Sequence, residues 1–359
     1  MKSFFTETLL KWHAEHPRPM PWSGEKDPYR IWLSETILQQ TRVEQGTPYY
    51  LQLIQTYPTI ADLANAPEDE LLKIWQGLGY YRRARNLHAA AQFVVNELNN
   101  CFPNSYEALL QLKGVGDYTA AAIASFGFDL PHAVLDGNVY RVLSRFCGIE
   151  TPIDDPKAKT VFSKLAHILL DKAQPAIYNQ AIMNFGAIQC VPQSPSCGIC
   201  PMKTYCFSFQ QQQVHLFPMK SKKITKKQRF FNFLLFREGD SIWIQQRREK
   251  DIWQQLYALP MIETDCLLET DDAFIEHFEA HFETDLLQIP IQIIQKSLVF
   301  KQKLSHLQLM IQFWEVQMDF TDLANKTHCF KINLRDLTHF AFPKVILDYF
   351  NAHDFFKQM

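Results

Sequence analysis

Two hydrophobic rhythms divide this chain of 359 residues. Up to about residue 206, apolar positions recur three and four apart, the spacing of one buried helix face. The segments "EDELLKIWQGLG" and "RRARNLHAAAQFVVNELNN" show it, the second closing on an Asn pair. "DPYRIWLSETILQQTRVEQ" opens with Asp27 as an N-cap and Pro28 at the first helical position. After Cys206 the rhythm stops. "QQQQVHLFPMKSKKITKKQR" is polar and then basic, a linker composition. Beyond it, "FFNFLLF", "SIWIQQ", "LYALPMI" and "LQLMIQFWEVQM" are dense in aromatic and branched residues and read as strands, with "DDAFIEHFEAHF" as a helix between them. The expectation is a multidomain chain: an all-α domain at 1–209, a basic linker at 210–229 and a smaller α/β domain at 230–359.

Hydrophobic residues make up 47% and charged residues 21%, so each half can bury a core. The net charge of −2 argues neither for nor against a nucleic-acid partner, and local patches must decide. The opening "MKSFFTETLLKWHAEHPRP" lacks the apolar run and small-residue cleavage site of a signal peptide. No apolar run approaches the ~20 residues that span a bilayer. We expect a soluble cytoplasmic protein with no membrane partner.

Cys190, Cys197, Cys200 and Cys206 follow the spacing Cys-x6-Cys-x2-Cys-x5-Cys. Cysteines clustered this way in a cytosolic chain point to metal rather than disulfides. Zinc accepts four sulfurs, but its sites usually pair two CxxC knuckles. One CxxC with longer outer arms suits a cubane iron–sulfur cluster, whose corners sit farther apart. With all four thiols committed as ligands, the role is structural, shaping a loop that bears Lys203.

In "LKGVGDYTAAAIASFG", Gly114, Val115 and Gly116 separate two helical patterns. Glycines let the backbone approach a partner closely, and the amides opening the next helix can hold an anion. The turn reads either as a helix-hairpin-helix grip on DNA phosphates or as an ordinary helix connection. In "LDGNVYRVLSRF", Asp136 precedes a helix, as a plain N-cap or as a carboxylate kept ionised to face a developing cation. Glu35, in "IWLSETILQQT", has Ile31, Leu38 and Gln39 at helical spacing and no Lys or Arg three or four positions away. It is either a desolvated general acid or a solvent-facing Glu. One carboxyl kept protonated and one kept charged is the pattern that breaks a glycosidic bond.

Taken jointly, "WLSETILQQTRV", "WQGLGYYRRARNLH", "LKGVGDYTAAAIASF", "LDGNVYRVLSRF", "YNQAIMNFGAIQC" and the four-cysteine loop resemble the MutY-type adenine DNA glycosylases of the helix-hairpin-helix (endonuclease III) superfamily, over most of residues 18 to 206. The resemblance implies an all-α helix-hairpin-helix glycosylase domain with one [4Fe-4S] cluster on Cys190, Cys197, Cys200 and Cys206. It implies a monofunctional enzyme that excises adenine opposite 8-oxoguanine or guanine in double-stranded DNA and leaves an abasic site for base excision repair. Where the endonuclease III branch has a lysine that attacks the sugar, this chain has Tyr118, which forms no Schiff base. By the same resemblance Glu35 protonates the adenine, Asp136 steadies the sugar cation and Asn138 orients the catalytic groups. Arg18, Trp22 and Gln180 line the adenine pocket. Gln40 with its neighbour Thr41, Leu78 and Tyr80 fill the gap and wedge beside the opposite base, and Arg82, Arg83 and Arg85 clamp the backbone or form a solvated face. Tyr80 and Tyr81 read alternatively as core aromatics.

The C-terminal part resembles the Nudix-like domain that such enzymes use to recognise 8-oxoguanine. "EKDIWQQLYALP" has Gln254 and Gln255 where glycines are common, and "KLSHLQL" has Leu304 before Ser305 and His306 where a Phe is usual. Ser305 and His306 are the expected contacts to the oxidised base. The Glu-rich helix of Nudix hydrolases is missing from "TDCLLETDDAFIEHFEAHF". "QVHLF", Gln213 to Phe217, resembles a sliding-clamp-binding peptide or is a linker end packed on the helical domain. A monomer acting in the bacterial cytoplasm, at the nucleoid, completes the expectation.

Overall fold

A computed structural model describes residues 2–221, 226–283, 291–304, 306–353 and 355. The helices up to the cysteine loop are α1 (Lys2–Glu15), α2 (Pro28–Leu38), α3 (Val43–Thr56), α4 (Ile60–Asn65), α5 (Glu68–Ile74), α6 (Arg82–Glu97), α7 (Tyr106–Leu109), α8 (Asp117–Phe128), α9 (Gly137–Cys147), α10 (Ala158–Leu169), α11 (Pro175–Ile188) and α12 (Phe207–Gln210). Then come strands β1 (Lys227–Glu238), β2 (Ser241–Gln246), β3 (Tyr257–Ala258) and β4 (Met261–Thr264), helix α13 (Asp271–Phe282), strands β5 (Gln292–Lys296), β6 (Phe300–Lys303) and β7 (Leu307–Gln317), helix α14 (Thr321–Thr327), strand β8 (Phe330–Asn333) and helix α15 (Lys344–Ala352). Contacts divide the chain into two compact units that are not contiguous in sequence. One comprises Met1–Ala66 and Arg85–Lys223, the other Pro67–Ala84 and Ile224–Met359.

In the first unit, local chemistry sets the helix starts. Asp27 accepts the Tyr29 N–H at 2.9 Å with Pro28 following, and Asp136 caps α9 through the Val139 N–H. These caps satisfy amides that the first turn leaves without a helical partner. α2 packs on α3 and α8, and α11 packs on α1, α8 and α9. Small residues permit these approaches. Ala120, Ala121, Ala122 and Ala124 of α8 are all buried. At Gly186 on α11, a Cβ would come within 2.6 Å of the Asn138 Cβ, so only glycine lets α11 lie against the start of α9.

The second unit is built on an eight-stranded mixed sheet running β3-β2-β1-β7-β5, with β4 on β1, β6 on β7 and β8 on β2. β1 and β7 are parallel neighbours in the middle and read as near-continuous apolar runs because both faces are covered. Phe231, Phe233 and Leu235 with Leu309, Ile311 and Phe313 meet α15 on one face. Leu234 and Phe236 with Trp314 and Val316 meet α13 and α14 on the other. The buried amide of Asn232 is satisfied by donating to Thr264 at 3.1 Å and accepting from the Trp314 indole at 3.1 Å.

The loop after β2 turns through two left-handed residues, Trp253 (φ 61°) and Gln255 (φ 68°). Trp253 is held by its ring contacts to Phe231 and Phe233. Gln255 contributes mainly its backbone, accepting from Gln246 Nε2 at 3.4 Å and donating to the Arg247 carbonyl at 2.6 Å. A left-handed L-residue is strained by roughly 1–2 kcal/mol, partly offset in glycine by the entropy that glycine loses. Gln255→Gly is therefore expected to be neutral or to stabilise by about 1 kcal/mol in urea unfolding. A loss of that size would show that the Gln255 side chain matters instead.

Candidate active site

Helix α2 is buried all round. Tyr29 and every residue from Ile31 to Ile37 are out of solvent, so Glu35, only 6% exposed, has no wet face to turn to. Burial pushes its carboxyl up to about 7; hydrogen bonding from the Tyr118 hydroxyl pulls the other way, and the charge of Asp136 adds to the rise. Its Oε2 has no hydrogen-bond partner among the described residues. The Tyr118 hydroxyl, in the first turn of α8, also lies 3.4 Å from Met183 Sδ of α11. Burial and then the two nearby carboxyls raise its own pKa well above that of an ordinary phenol.

Asp136 stands at the extended N-cap of α9. Its Oδ1 accepts from the Val139 N–H at 2.8 Å, and its Oδ2 accepts from Asn138 Nδ2 at 2.7 Å. A cap alone would lower its pKa. Burial outweighs these bonds and the nearby Arg141, so the carboxyl is raised overall, opposite to the expectation from the helix terminus. The centre thus holds two carboxyls of different character. Glu35 retains one bare oxygen in an apolar surround, whereas Asp136 is gripped by two donors.

Arginines that sequence reasoning missed stand behind Asn138. Arg141, 9% exposed, donates from Nη2 to Asn138 Oδ1 at 2.8 Å and to the Gly186 carbonyl at 2.7 Å, and from Nε to the Cys190 carbonyl at 2.8 Å. Arg145, 3% exposed, donates to the carbonyls of Val191 at 2.8 Å and Pro192 at 2.9 Å, and sits 3.4 Å from Cys190 Sγ. The available signal was their four-residue spacing on the face that also carries Val142 and Phe146.

Cys190, Cys197, Cys200 and Cys206 are free thiols lining one cavity with Arg145 and Met202. Among the described residues no three His, Cys, Asp or Glu side chains are placed to hold a single metal ion. Four thiols around one cavity are the donor set that a cubane cluster takes.

The other expected site residues are spread more widely. Arg18 is half-buried, and Trp22 is buried with its ring edge-on to Tyr50 at 5.2 Å. Gln40 is exposed and left-handed (φ 57°), with Thr41 half-buried beside it. Gln180 lies three residues before Met183 on α11 and donates to Asn184 at 3.1 Å. Among the described residues none of Arg18, Trp22, Gln40 or Gln180 hydrogen-bonds to Glu35. Gly114 (φ 85°) must be glycine, since a Cβ would meet the Asn86 Cβ at 2.8 Å. Gly116 caps α8 with open space around it, and Val115 is buried between them. Leu78 and Tyr80 belong to the second unit, Leu78 buried and Tyr80 47% exposed. His306 is exposed after β6, and Ser305 lies outside the described residues.

Two expectations need correction. Arg83 is no solvated clamp: it is 8% exposed, donates to the Gly79 carbonyl at 3.1 Å and lies over the rings of Trp75 and Tyr80. Within Gln213 to Phe217, Leu216 is exposed but Phe217 is buried against Phe207, with its carbonyl held by Arg145 Nε at 3.1 Å. As folded, that peptide cannot offer both apolar residues to a clamp.

Comparison with known proteins agrees with this geometry. Residues 33–167 match the HhH-GPD superfamily of base excision DNA repair proteins, residues 190–206 the iron–sulfur binding domain of endonuclease III, and residues 232–352 the NUDIX domain. An adenine DNA glycosylase of Buchnera aphidicola subsp. Baizongia pistaciae is 33% identical over 97% of this chain and 98% of its own length. The adenine DNA glycosylase of Homo sapiens is 41% identical over 58% of this chain and 40% of its own. A thermostable thymine-DNA glycosylase structure is 28% identical with a TM-score of 0.55, covering 58% of this chain and 97% of that one. A non-covalent endonuclease III–DNA complex, 24% identical with a TM-score of 0.51 over 59% of this chain and 98% of that one, shares the fold. The chain belongs to the adenine DNA glycosylase family, enzymes of base excision repair, and it joins a helix-hairpin-helix glycosylase domain and an iron–sulfur loop to a Nudix-type domain.

Proposed function

We propose that this glycosylase removes adenine paired with 8-oxoguanine or guanine in double-stranded DNA and leaves an abasic site with the strand intact. The observation that carries this reading is the pairing of a buried Glu35, its pKa near 7, with a hydrogen-bonded Asp136 and the phenol of Tyr118, where a strand-cutting enzyme needs an amine. Two neighbouring carboxyls share one proton. Asp136, with two donors on it, is the better anion, and Glu35, with a bare Oε2, keeps the proton. Glu35 gives that proton to the purine ring. The glycosidic electron pair leaves with the base, and Asp136 faces the oxocarbenium ion until water adds. Asn138 holds Asp136 in place, and Tyr118 steadies the cation by hydrogen bonding.

The adenine leaves the stack to be reached. Arg18, Trp22 and Gln180 form its pocket, while the amides of Gly114 to Gly116 hold backbone phosphate. Gln40, Thr41, Leu78 and Tyr80 occupy the gap beside the opposite base, and Ser305 with His306 bonds that base. The cluster on Cys190, Cys197, Cys200 and Cys206 secures the loop that receives Arg141 and Arg145.

A duplex panel tests the reaction. Strand breaks should appear only after hot alkali, fastest for A opposite 8-oxoguanine, slower opposite G and negligible opposite T. Breaks without alkali would mean that another nucleophile replaces the missing lysine. Tyr118→Lys should gain some alkali-independent cleavage.

The acid role sets a pH dependence. The single-turnover rate should fall by about tenfold per pH unit above about 7, as Glu35 loses its proton. Glu35→Gln should nearly abolish excision. It should also alter stability with a definite sign. The folded carboxyl binds its proton more tightly than the unfolded one, so the wild type loses stability as pH rises from 4.5 through about 7. Above that window Glu35→Gln should be the more stable protein by up to about 3 kcal/mol, and at pH 4 the two should match. Equal stability at all pH values would place Glu35 in a wetter setting than the structure shows.

A further inference from the structure

The turn from Trp75 to Tyr81 lies within the HhH-GPD match at residues 33–167, yet together with α5 it packs as part of the second unit. Three side chains fasten it there. Tyr257 Oη on β3 donates to Asp69 Oδ2 at 2.9 Å. Lys73 Nζ donates to the Phe340 carbonyl at 2.8 Å and to Gln76 Oε1 at 3.2 Å. That Gln76 oxygen also accepts the N–H of Phe342 at 3.1 Å. Between Phe340 and Phe342, the Ala341 carbonyl takes the Tyr257 N–H at 2.9 Å. One backbone stretch therefore holds both β3 and α5.

The turn itself is stiff. Trp75 Nε1 and Arg83 Nη2 both donate to the Gly79 carbonyl at 3.1 Å, and Tyr81 Oη accepts the Gly77 N–H at 3.1 Å. Tyr80 sits at φ 50° between these braces, its ring exposed over the Arg83 guanidinium. Rigid-body displacement of the 340–342 stretch would therefore move Tyr80 rather than be absorbed by a floppy loop.

We propose that Asp69, Lys73 and Gln76 are positioning residues that tie the Leu78–Tyr80 turn to the C-terminal sheet, so that engagement of the opposite base by the sheet's β6–β7 end governs how the wedge enters the duplex. The inference rests on the reading above that Tyr80 and His306 both attend to the opposite base. It makes the preference for 8-oxoguanine over guanine depend on residues that touch neither base.

The test uses the full chain and compares single-turnover excision of adenine opposite 8-oxoguanine and opposite guanine in the wild type, Gln76→Leu and Tyr257→Phe. Fluorescence of 2-aminopurine beside the opposite base reports unstacking by the wedge. Gln76→Leu loses the acceptor shared by Lys73 and Phe342, and its preference for 8-oxoguanine should fall by about fivefold or more, the worth of a typical hydrogen bond. Its rate opposite guanine should stay within about twofold of the wild type. Tyr257→Phe, which removes only a hydroxyl, should shift the ratio the same way by a smaller factor and guards against misfolding of the first variant. An unchanged ratio, or both rates falling together, would reduce these contacts to fold support and overturn the proposal. A wild type with no preference at all would instead remove the functional reading beneath it.

Discussion

A carboxyl carried into an apolar interior with no cation beside it is the constraint around which the helical unit is arranged. α2 is covered on every side, and Glu35 is covered with it. An ionised group there would be costly to bury, so the carboxyl keeps its proton to near neutral pH. A lysine or arginine within reach would relieve that cost, but it would also draw the pKa down. The packing follows from this requirement. Close approach of α8 through its alanines closes the space over α2, and the adjacent hydroxyl of Ser34 is satisfied by the Ile31 carbonyl of its own helix. One oxygen of the group is thus left without a hydrogen-bond partner among the described residues.

Asp136 presents the complementary problem, a carboxyl that must be held still. Its two donors come from the first turn of its own helix, but Asn138 can donate in the right direction only if its amide is fixed. Arg141 does that by taking the Asn138 carbonyl oxygen, and its remaining donors go to the carbonyls of Gly186 and Cys190. Arg145 gives its two Nη nitrogens to the same loop. Two guanidinium groups this deep would be severely destabilising without those carbonyls. The cysteine loop, which would hold the cluster, therefore bears on the geometry of Asp136 mechanically, through main-chain acceptors.

What the sequence made legible was what local chemistry controls. Asp27 with Pro28, Asp136 before α9, the glycine turn before α8 and the four cysteines each announce themselves within a few residues, and the structure has Asp27, Gly116 and Asp136 at helix N-caps and the four cysteines around one cavity. What was not legible depends on partners distant in sequence. Periodicity suggested one apolar face on α2, whereas every residue from Ile31 to Ile37 is buried, including Ser34, Glu35 and Thr36. Arg83 read as a backbone clamp or a solvated face, and Arg141 and Arg145 drew no reading, because nothing local announces a carbonyl 45 to 49 residues away or a ring stacked beneath. The N-cap argument for Asp136 was locally sound and still gave the wrong pKa direction, because desolvation by the assembled unit outweighed the cap. Phe217 sits in a peptide with the pattern of an exposed ligand but fills a hole beside Phe207.

Backbone strain separates the two kinds of turn in this protein. Gln40 and Tyr80, the residues assigned to the gap beside the opposite base, are both left-handed without being glycine. Such conformations persist only where the surroundings over-determine them. Around Tyr80 that condition is visible: Gly77 and Gly79 take the other left-handed positions, and Trp75, Tyr81 and Arg83 lock the turn from within. A glycine at 80 would relax the backbone and remove the exposed ring. At Gln255 the left-handed backbone is just as strained, but the hydrogen bonds that define the bend run through main-chain atoms that glycine would keep. Strain at Tyr80 therefore comes with a braced turn and an exposed ring, whereas strain at Gln255 is carried by the path of the chain alone.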